Sequence, residues 1–498
     1  MRTVYALAAL GATLVAAVPS LEVQGNAFVN PKTGNRFQLL GVDYQPGGSA
    51  GYKPDNGEDP LTDADRCLRD ASLMQLLGVN TIRVYNLSPN LNHDECASIF
   101  NAAGIYMAID VNSPLVGEAL TSWEPWTSYY ASYLNRTFAV VEAFKSYPNT
   151  LLFFSGNEII NDNKTIDASP AYIRAVTRDL KNYIKAHSDR YIPVGYSAAD
   201  VRNVLFDTWN YLTCTIEGEE NNESRADLFA LNSYSWCGNS TYEKSGFNTL
   251  VEGFKDSASP IFFSEFGCNE VQREFTEIQA IYGKDMTPVF SGGLVYEWTQ
   301  EDNNYGLVKV NSNGSVSLLG DFNRLYTHYR MLNIDALQGK PPKSTGQAPT
   351  CDFSLLTTKG FQSKWDIPAI PESDGSDKIL KDGVSPAPVG KLVQISDFTV
   401  KHQFFDASGK EMTDVKIKTV ADDSFNYPGY NTYKFDASAS RSSSSSSSTS
   451  SRVSTTESVT AKANSGSNPD SDTSAATNFH PTMLGMTVSM AIALALRV

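Results

Sequence analysis

Short apolar runs separated by helical patterns recur along the first two thirds of the chain. Eight of these runs cover residues 37–44, 79–85, 105–111, 151–155, 191–196, 228–234, 260–264 and 293–298. Most are apolar at nearly every position, which is typical of strands buried on both faces of a parallel sheet. Between them, residues 63–77 and 172–187 carry apolar side chains at helical spacing. Eight strands alternating with helices predict an α/β fold, a closed (β/α)8 TIM barrel in preference to an open sheet.

The pattern changes after residue 335 and defines the predicted domains. Residues 20–340 form the predicted barrel domain. Residues 341–435 are interpreted as a Pro- and Gly-rich linker followed by a small β-rich appendage, because apolar residues alternate loosely over 391–400. Residues 436–476 are dominated by Ser, Thr and Asn, with serine at every position of 442–448. Such a segment cannot bury enough apolar surface to fold, so it predicts a disordered, glycosylated stalk.

Both ends of the chain resemble sorting signals. Residues 1–19 contain Arg2, an apolar run and small residues near Ala17, which predicts a secretory signal peptide. A buried N-terminal helix is the alternative. Residues 477–498 comprise a polar spacer and an apolar tail at 483–496, which is shorter than the roughly twenty residues that span a bilayer. With small residues upstream, they predict a GPI-attachment signal whose tail is removed; a tail-anchored helix is the alternative.

The composition restricts the partners. A formal net charge of −15 disfavours nucleic acid, whose phosphates the protein would repel, and suits a neutral polymer. The 24 Tyr and 25 Phe offer faces that stack on sugar rings, although most are expected in the core. Six cysteines in a secreted chain predict disulfides, with fifteen pairings open. No Cys or His spacing indicates a metal site. Glycosylation sequons begin at Asn86, Asn135, Asn163, Asn222, Asn239 and Asn313.

Two predicted strands end in a carboxylate. The fourth runs into Asn157 and Glu158, and the seventh runs into Glu265. Polar residues at the carboxyl ends of barrel strands form the active site of this fold. Glycoside cleavage needs two carboxyl groups on one bond, one that protonates the leaving oxygen and one that attacks or activates water. The alternative, two ordinary strand-end glutamates held in salt bridges, becomes weak when both stand in this context.

Short motifs then identify a family. They are GVDYQPGG at 41–48, IRVYN at 82–86, GNE at 156–158, SEFG at 264–267, YEW at 296–298 and NYGLV at 304–308. Together, over residues 21–351, they resemble glycoside hydrolase family 72, the fungal β-1,3-glucanosyltransferases anchored by GPI. Only Cys351 lies beyond residue 268, so the chain resembles the branch without the cysteine-rich carbohydrate-binding module.

The resemblance implies a role for each matched residue. It implies that Glu158 is the general acid/base, that Glu265 is the nucleophile, and that Asn157 binds the 2-hydroxyl of the sugar. The further implied substrate contacts are Gln45, Tyr85, Asp110, Asp200, Arg202, Tyr234 and Tyr296. The segment around Asp200 is shorter than the family pattern, which weakens the transfer for Asp200 and Arg202. The implied disulfides are Cys67–Cys96, Cys214–Cys351 and Cys237–Cys268.

Arg83 and Glu297 are supporting candidates. Arg83 either keeps the nucleophile ionised, since an adjacent cation lowers the pKa of a carboxylate, or forms a structural salt bridge in the barrel. Glu297 stands in the YEW motif and is given a supporting role only.

The implied reaction is a retaining double displacement without a cofactor. An internal β-1,3 bond of a glucan donor is cleaved, and the new reducing end is transferred to the non-reducing end of an acceptor glucan during cell-wall remodelling. We expect a monomer on the outer face of the plasma membrane, held by a GPI lipid anchor, or in the cell wall. Two alternatives stay open: an endo-β-1,3-glucanase that uses water as the acceptor, and a non-catalytic glucan-binding wall protein.

Overall fold

A computed structural model describes residues 17–218, 222–342, 346–385 and 387–435. The predicted stalk at 436–476, the predicted GPI signal at 477–498 and the first sixteen residues of the predicted signal peptide lie outside the described residues. At the end of the predicted signal peptide, Val18 is buried and its N–H donates to Asn101 Oδ1 at 3.1 Å. The Tyr106 hydroxyl donates to Pro19 O at 2.6 Å. Residues 18 and 19 are therefore part of the folded body.

The centre of the fold is a closed parallel barrel, which confirms the predicted fold class. Its strands in chain order are β4 (Leu39–Asp43), β5 (Thr81–Val84), β6 (Tyr106–Asp110), β7 (Thr150–Asn157), β8 (Val194–Ala199), β9 (Leu228–Ser233), β10 (Ile261–Phe266) and β11 (Phe290–Val295). Each pairs with the next in sequence, and β11 pairs with β4 to close the ring. The eight predicted runs overlap these strands and differ from them by a few residues at the ends.

A small antiparallel sheet covers the amino-terminal end of the barrel. It consists of β1 (Glu22–Gln24), β2 (Ala27–Val29) and β3 (Arg36–Phe37). Phe28 and Phe37 from this sheet belong to the same apolar cluster as Phe262 and Leu294 from the barrel strands. The cluster fills the lower interior of the barrel, so polar side chains collect at the other end, where the strands finish.

Helices surround the barrel and pack a second apolar core against the outer faces of the strands. They are α1 (Ala64–Leu77), α2 (Asp94–Ala103), α3 (Ala131–Phe144), α4 (Thr165–Ala168), α5 (Pro170–His187), α6 (Leu205–Thr213), α7 (Phe247–Phe254), α8 (Glu277–Ile281), α9 (Gly320–Arg330), α10 (Ile334–Leu337) and α11 (Ser376–Asp382). Local sequence sets their ends. Asp63 caps α1 by accepting from Arg66 N, and Gly78 ends it at a φ of 95°.

Residues after the barrel pack on its outside. A four-stranded sheet joins β12 (Val308–Val310) and β13 (Val316–Leu318) to β14 (Phe404–Phe405) and β15 (Glu411–Met412). The alternation at 391–400 predicts a strand, but the structure has no regular element there. Lys391 N donates to Asp94 Oδ1 and Val393 N donates to Ser98 Oγ. Side chains of α2 therefore satisfy backbone groups that a neighbouring strand would otherwise pair.

The last described segment, residues 415–435, lies across the carboxyl ends of α1 and α2. Asn426 is fully buried, its N–H donates to Gly104 O at 2.9 Å, and its Nδ2 donates to Val79 O at 2.8 Å and Gln75 O at 3.2 Å. A Cβ on Gly104 would lie 2.5 Å from Asn426 N. Glycine at this helix end, with a φ of 77°, thus permits both the turn and the contact.

All six cysteines are in the described residues and form Cys67–Cys96, Cys214–Cys351 and Cys237–Cys268. This confirms the pairing that the family resemblance implies. Cys214–Cys351 ties α6 to the segment that leaves the barrel. Within the described ranges, no helix combines the length and the apolar character that a membrane span requires.

We predict that Asn426→Ala destabilises the protein by about 1–3 kcal/mol, because the Val79 carbonyl loses the donor Asn426 Nδ2 and the Gln75 carbonyl keeps only Gly78 N. Urea or thermal unfolding followed by circular dichroism measures the loss. Thr432→Ala, an exposed position in the same segment, is the control. A loss no greater than that of the control would contradict the prediction.

Candidate active site

The two candidate carboxylates meet at the carboxyl end of the barrel. Glu158 directly follows β7. Glu265 lies in β10, which is three strands further round the ring. Asn232 in β9 connects them: its Nδ2 donates to Glu158 Oε1 at 2.8 Å, and its Oδ1 accepts from Arg83 Nη1 at 3.3 Å. Arg83 Nη1 in turn donates to Glu265 Oε1 at 3.2 Å. Both carboxylates therefore belong to one hydrogen-bonded site.

Glu158 is presented by a turn out of its strand. Its φ is 51°, in the left-handed region that non-glycine residues rarely adopt. Its N–H donates to Ser197 O at 2.8 Å, and Asn161 Nδ2 donates to its carbonyl at 3.0 Å. These bonds stabilise a backbone conformation that is otherwise unfavourable. The side chain is half-buried, so it stays accessible from the cleft.

Glu265 is held by three donors. The Tyr85 hydroxyl donates to Oε1 at 2.8 Å, the Tyr234 hydroxyl donates to Oε2 at 2.7 Å, and Arg83 contacts Oε1. Only 8 % of the residue is exposed. These three contacts fix the orientation of the carboxylate.

Arg83 is the centre of the network and is fully buried. Its Nε and Nη2 contact Asp110 at 2.8 and 3.2 Å, and Nη2 also donates to Asn157 Oδ1 at 2.9 Å. The guanidinium carbon lies 4.3 Å from the centre of the Tyr85 ring. Arg83 contacts Glu265 and also forms a salt bridge with Asp110, so the contacts that each of the two interpretations requires are present.

Asn157 is oriented through its oxygen. Asn157 Oδ1 accepts from Arg83 Nη2, from Ser197 Oγ at 2.8 Å and from Asn232 Nδ2 at 3.1 Å. Three donors on one oxygen fix the amide and leave its NH2 group as the donor for a ligand.

Burial controls the titration of the site. Burial raises the pKa of Glu265 to about 7; the charge of Glu158 adds to the rise, and Arg83 and the two tyrosine hydroxyls oppose it. Burial and the charge of Glu265 raise the pKa of Asp43 well above its ordinary value. Burial also raises the pKa of Glu297 to about 7, against the hydrogen bond from Asn303 Nδ2. Arg83 therefore lowers the pKa of Glu265, but burial has the larger effect.

Three tyrosine rings form one wall of the site. Tyr234 and Tyr296 contact edge to face with ring centres 6.3 Å apart, and Tyr305 contacts both at 5.7 and 5.2 Å. All three are half-buried. Rings that are supported on one side and open on the other suit stacking against a flat ligand.

The other predicted contacts occupy different environments. Gln45 Oε1 accepts from Asn86 N at 3.3 Å. Both oxygens of Asp110 face Arg83, so the geometry favours a supporting role over a direct ligand contact. Asp200 pairs with Arg202 and accepts from Ser233 Oγ at 2.6 Å at the rim.

The sequence motifs left several site residues unassigned. Asn232 lies near the carboxyl end of β9, and Ser197 lies near that of β8. In a barrel of this type, that position marks polar residues as site candidates. Asp43 and Tyr305 lie inside the quoted motifs, at 41–48 and 304–308. Among the described residues, Cys237, Cys268 and Glu270 have the composition of a metal site, but the disulfide consumes both thiolates.

The arrangement suits displacement at a carbon between two carboxyl groups. Glu265 is oriented and buried, as a nucleophile must be to attack along one direction. Glu158 is more accessible and hydrogen-bonded on one oxygen, which leaves the other to exchange a proton with a ligand.

Comparisons with known proteins agree with this geometry. The family model described as Glucanosyltransferase matches residues 11–333. The chain is similar to the 1,3-beta-glucanosyltransferase gel2 of Aspergillus fumigatus, with 52 % identity over 86 % of this chain and 89 % of that protein. It is also similar to the 1,3-beta-glucanosyltransferase GAS4 of Saccharomyces cerevisiae, with 46 % identity over 77 % of this chain and 79 % of that protein.

A solved structure adds a bound ligand. A variant of Saccharomyces cerevisiae Gas2p in complex with laminaritetraose and laminaripentaose superposes with a TM-score of 0.61 and 34 % identity. The match covers 72 % of this chain and 76 % of that chain.

We predict that the unfolding temperature of the ligand-free protein falls as the pH rises from about 5 to about 8. The folded-state pKa of Glu265 is raised from an ordinary 4.5 to about 7, so its contribution to stability is full below pH 4.5 and is lost as the pH rises through 7. Glu297 acts in the same direction. Glu265→Gln, which is neutral throughout, should show a shallower decline in thermal scans. A flat or rising profile for the unmodified chain would contradict this reasoning.

Proposed function

This chain belongs to the glucanosyltransferase family, glycoside hydrolase family 72, and we propose that it is a retaining 1,3-β-glucanosyltransferase in which Glu265 is the nucleophile and Glu158 the acid/base. It cleaves an internal β-1,3 bond of one glucan and transfers the new reducing end to the non-reducing end of another. The single observation that carries the assignment of roles is the set of three donors on the buried Glu265 carboxylate. The half-buried Glu158 is then the group that gives and accepts protons.

The first step forms a covalent intermediate. A Glu265 oxygen attacks the anomeric carbon of the donor and the glycosidic bond breaks. Its electron pair stays on the leaving oxygen, which takes the proton of Glu158. Glu265 loses its negative charge as the ester forms. The Tyr85 and Tyr234 hydroxyls can keep their hydrogen bonds to it, because a hydroxyl donates well to either a carboxylate or an ester oxygen. Arg83 keeps its charge throughout and holds Asn157 in register.

The second step joins the acceptor. The 3-hydroxyl of an acceptor chain attacks the same carbon, its proton passes to Glu158, and Glu265 leaves as a carboxylate. Two inversions at one carbon retain the β configuration. The nucleophile must be ionised to attack, so its pKa of about 7 makes the fraction of active enzyme sensitive to mild acid.

Substrate contacts follow from the free groups of the site. We propose that the NH2 of Asn157 donates to the 2-hydroxyl of the sugar that reacts, where such bonds strengthen in the transition state. Tyr296 and Tyr305 offer ring faces to the sugars that flank the scissile bond. Gln45 is buried, whereas Asp200 and Arg202 lie at the rim. In this proposal all three bind sugars further from the scissile bond.

The two other candidate functions make less use of the site. A glucan-binding protein has no need for Glu158 to adopt an unfavourable backbone conformation beside a buried, oriented second carboxylate. An endo-glucanase needs the same two glutamates, so only the identity of the acceptor separates it from a transferase. The supporting observation for transfer is the likeness to relatives named 1,3-beta-glucanosyltransferase.

We further propose that the protein acts outside the cell. The predicted signal peptide would be cleaved before the buried Val18, and the predicted GPI signal would attach the stalk to a lipid at the plasma membrane or allow transfer to the wall. We propose that it works there as a monomer.

We predict that the purified protein lengthens glucans. Incubation with a reduced β-1,3-gluco-oligosaccharide should give products longer than the substrate, because an acceptor chain out-competes water for the intermediate. Mass spectrometry of the product sizes measures this. If only shorter products appear at high substrate concentration, the endo-glucanase alternative is correct.

We also predict that substitutions of the two glutamates affect activity differently. Glu265→Gln should abolish the first step for every donor, whereas Glu158→Gln should lose about a hundredfold or more with glucan but keep the first step with an aryl β-glucoside. An aryl leaving group departs without a proton, so a burst of phenolate should mark the trapped intermediate. Both variants should fold, as circular dichroism can verify. Equal loss on both substrates would contradict the acid/base role of Glu158.

A further inference from the structure

A second concave region lies at the outer rim of the catalytic face. It is a groove of about 710 Å³ whose walls include Trp123, Trp126, Asp167, Tyr172 and Asp366. Trp123 and Trp126 belong to the loop after β6, and Asp167 and Tyr172 belong to α4 and the start of α5. In a (β/α)8 barrel the helices begin on the face where the strands end, so this groove opens on the same face as Glu158.

The two tryptophans are unusually open. Trp123 is 60 % exposed and Trp126 is 57 % exposed, although tryptophan is highly buried on average. They belong to one loop and line one groove, which makes them a patch and not two scattered side chains.

Hydrogen bonds fix the loop on both sides of the two tryptophans. Thr121 N donates to Ser128 Oγ at 2.8 Å, and the Tyr129 hydroxyl donates to the buried Asp179 at 2.6 Å. Ser169, directly before α5, donates through Oγ to Ser122 O. The tryptophans therefore stand on a backbone fixed to α5 on both sides, so a ligand would pay little entropy to order them.

The polar groups of the groove select the ligand chemistry. Glu124, Asp167 and Asp366 line it beside the indole rings, with Lys164 as a cation. Acidic acceptors next to exposed aromatic faces suit a neutral ligand with many hydroxyl groups and repel an anionic one. A sugar chain has this character, with apolar ring faces for the indoles and hydroxyls for the carboxylates.

The groove and the site already described are linked by one segment of the chain. The segment that carries Glu158 runs directly on to Asn163 and Lys164, which line the groove. A glucan that reacts at an internal bond extends beyond the catalytic carboxylates in both directions, so its outer part must cross the rim of the barrel.

We propose that the groove is an outer binding site for the β-1,3-glucan chain, in which Trp123 and Trp126 stack on sugars remote from the scissile bond. The identity of the sugar rests on the proposed function. The site increases the affinity for long chains relative to short oligosaccharides and leaves the chemistry at Glu158 and Glu265 unchanged.

The test is direct binding in the full chain carrying Glu265→Gln, which prevents turnover. Titration calorimetry with laminaritetraose and with a long soluble β-1,3-glucan is compared before and after adding the pair Trp123→Ala and Trp126→Ala. We expect the pair to raise the Kd for the long glucan at least about threefold and to leave that for laminaritetraose unchanged. Phe353→Ala, which removes an aromatic ring that is 70 % exposed outside the groove, should change neither.

Two results would overturn the inference. One is an unchanged Kd for the long glucan; the other is an equal rise for both ligands, which indicates general damage to the fold. A third arm adds Asn163→Gln in a glycosylating host, because Asn163 lines the groove and begins a sequon. If the tryptophan effect appears only with Asn163→Gln, the protein's own glycan fills the groove, and a glucan site in the native enzyme is excluded.

The proposed function can fail independently. If the unmodified enzyme makes no glucan products while the tryptophan pair still weakens binding of the long glucan, the groove inference stands and the transferase assignment falls. If products form and binding does not depend on the tryptophans, the reverse holds.

Discussion

The active site depends on one buried cation. Arg83 is fully buried, packs against the Tyr85 and Phe154 rings, and contacts Asp110, Glu265 and Asn157. A guanidinium suits this place because its five donors form a rigid planar fork, which a lysine cannot reproduce. An isolated charge at this depth would be very costly, and the surrounding carboxylates and amide oxygens offset that cost. The same contacts that satisfy Arg83 also fix Glu265, the proposed nucleophile, and Asn157, the proposed contact of the sugar.

The site contains more acid than this one cation neutralises. Asp43, Glu265 and Glu297 are buried close enough to influence one another, and each has a raised pKa. The negative charge of each of these groups therefore opposes the ionisation of its neighbours. Such an acidic cleft is poorly suited to anionic ligands and compatible with a neutral glucan. A cleavage that develops positive charge on the sugar ring also benefits from negative surroundings.

The rest of the described chain supports this centre from outside. The sheet of β1 to β3 closes the lower end of the barrel, so the polar network is confined to the upper end. Cys214–Cys351 and the segment around Asn426 fasten the residues that follow the barrel to its helices. The groove at Trp123 and Trp126 stands on α5 in the same way. Rigid loops on a rigid barrel allow two distant parts of one polymer to be bound in a fixed relation.

The sequence by itself determined the barrel, its strand positions and the two glutamates. Short continuous apolar runs that alternate with helical patterns are typical of buried parallel strands. Packing in an apolar core does not explain a carboxylate at the end of such a run. Family motifs supplied the cysteine pairs. Only the tertiary structure brought Asn232 between Glu158 and Glu265 and turned Asp110 toward Arg83. It also showed that residues 391–400 bond to α2 and form no strand, and that burial outweighs Arg83 in setting the pKa of Glu265. These outcomes depend on contacts between residues far apart in sequence and on depth from solvent, and no local pattern encodes either quantity.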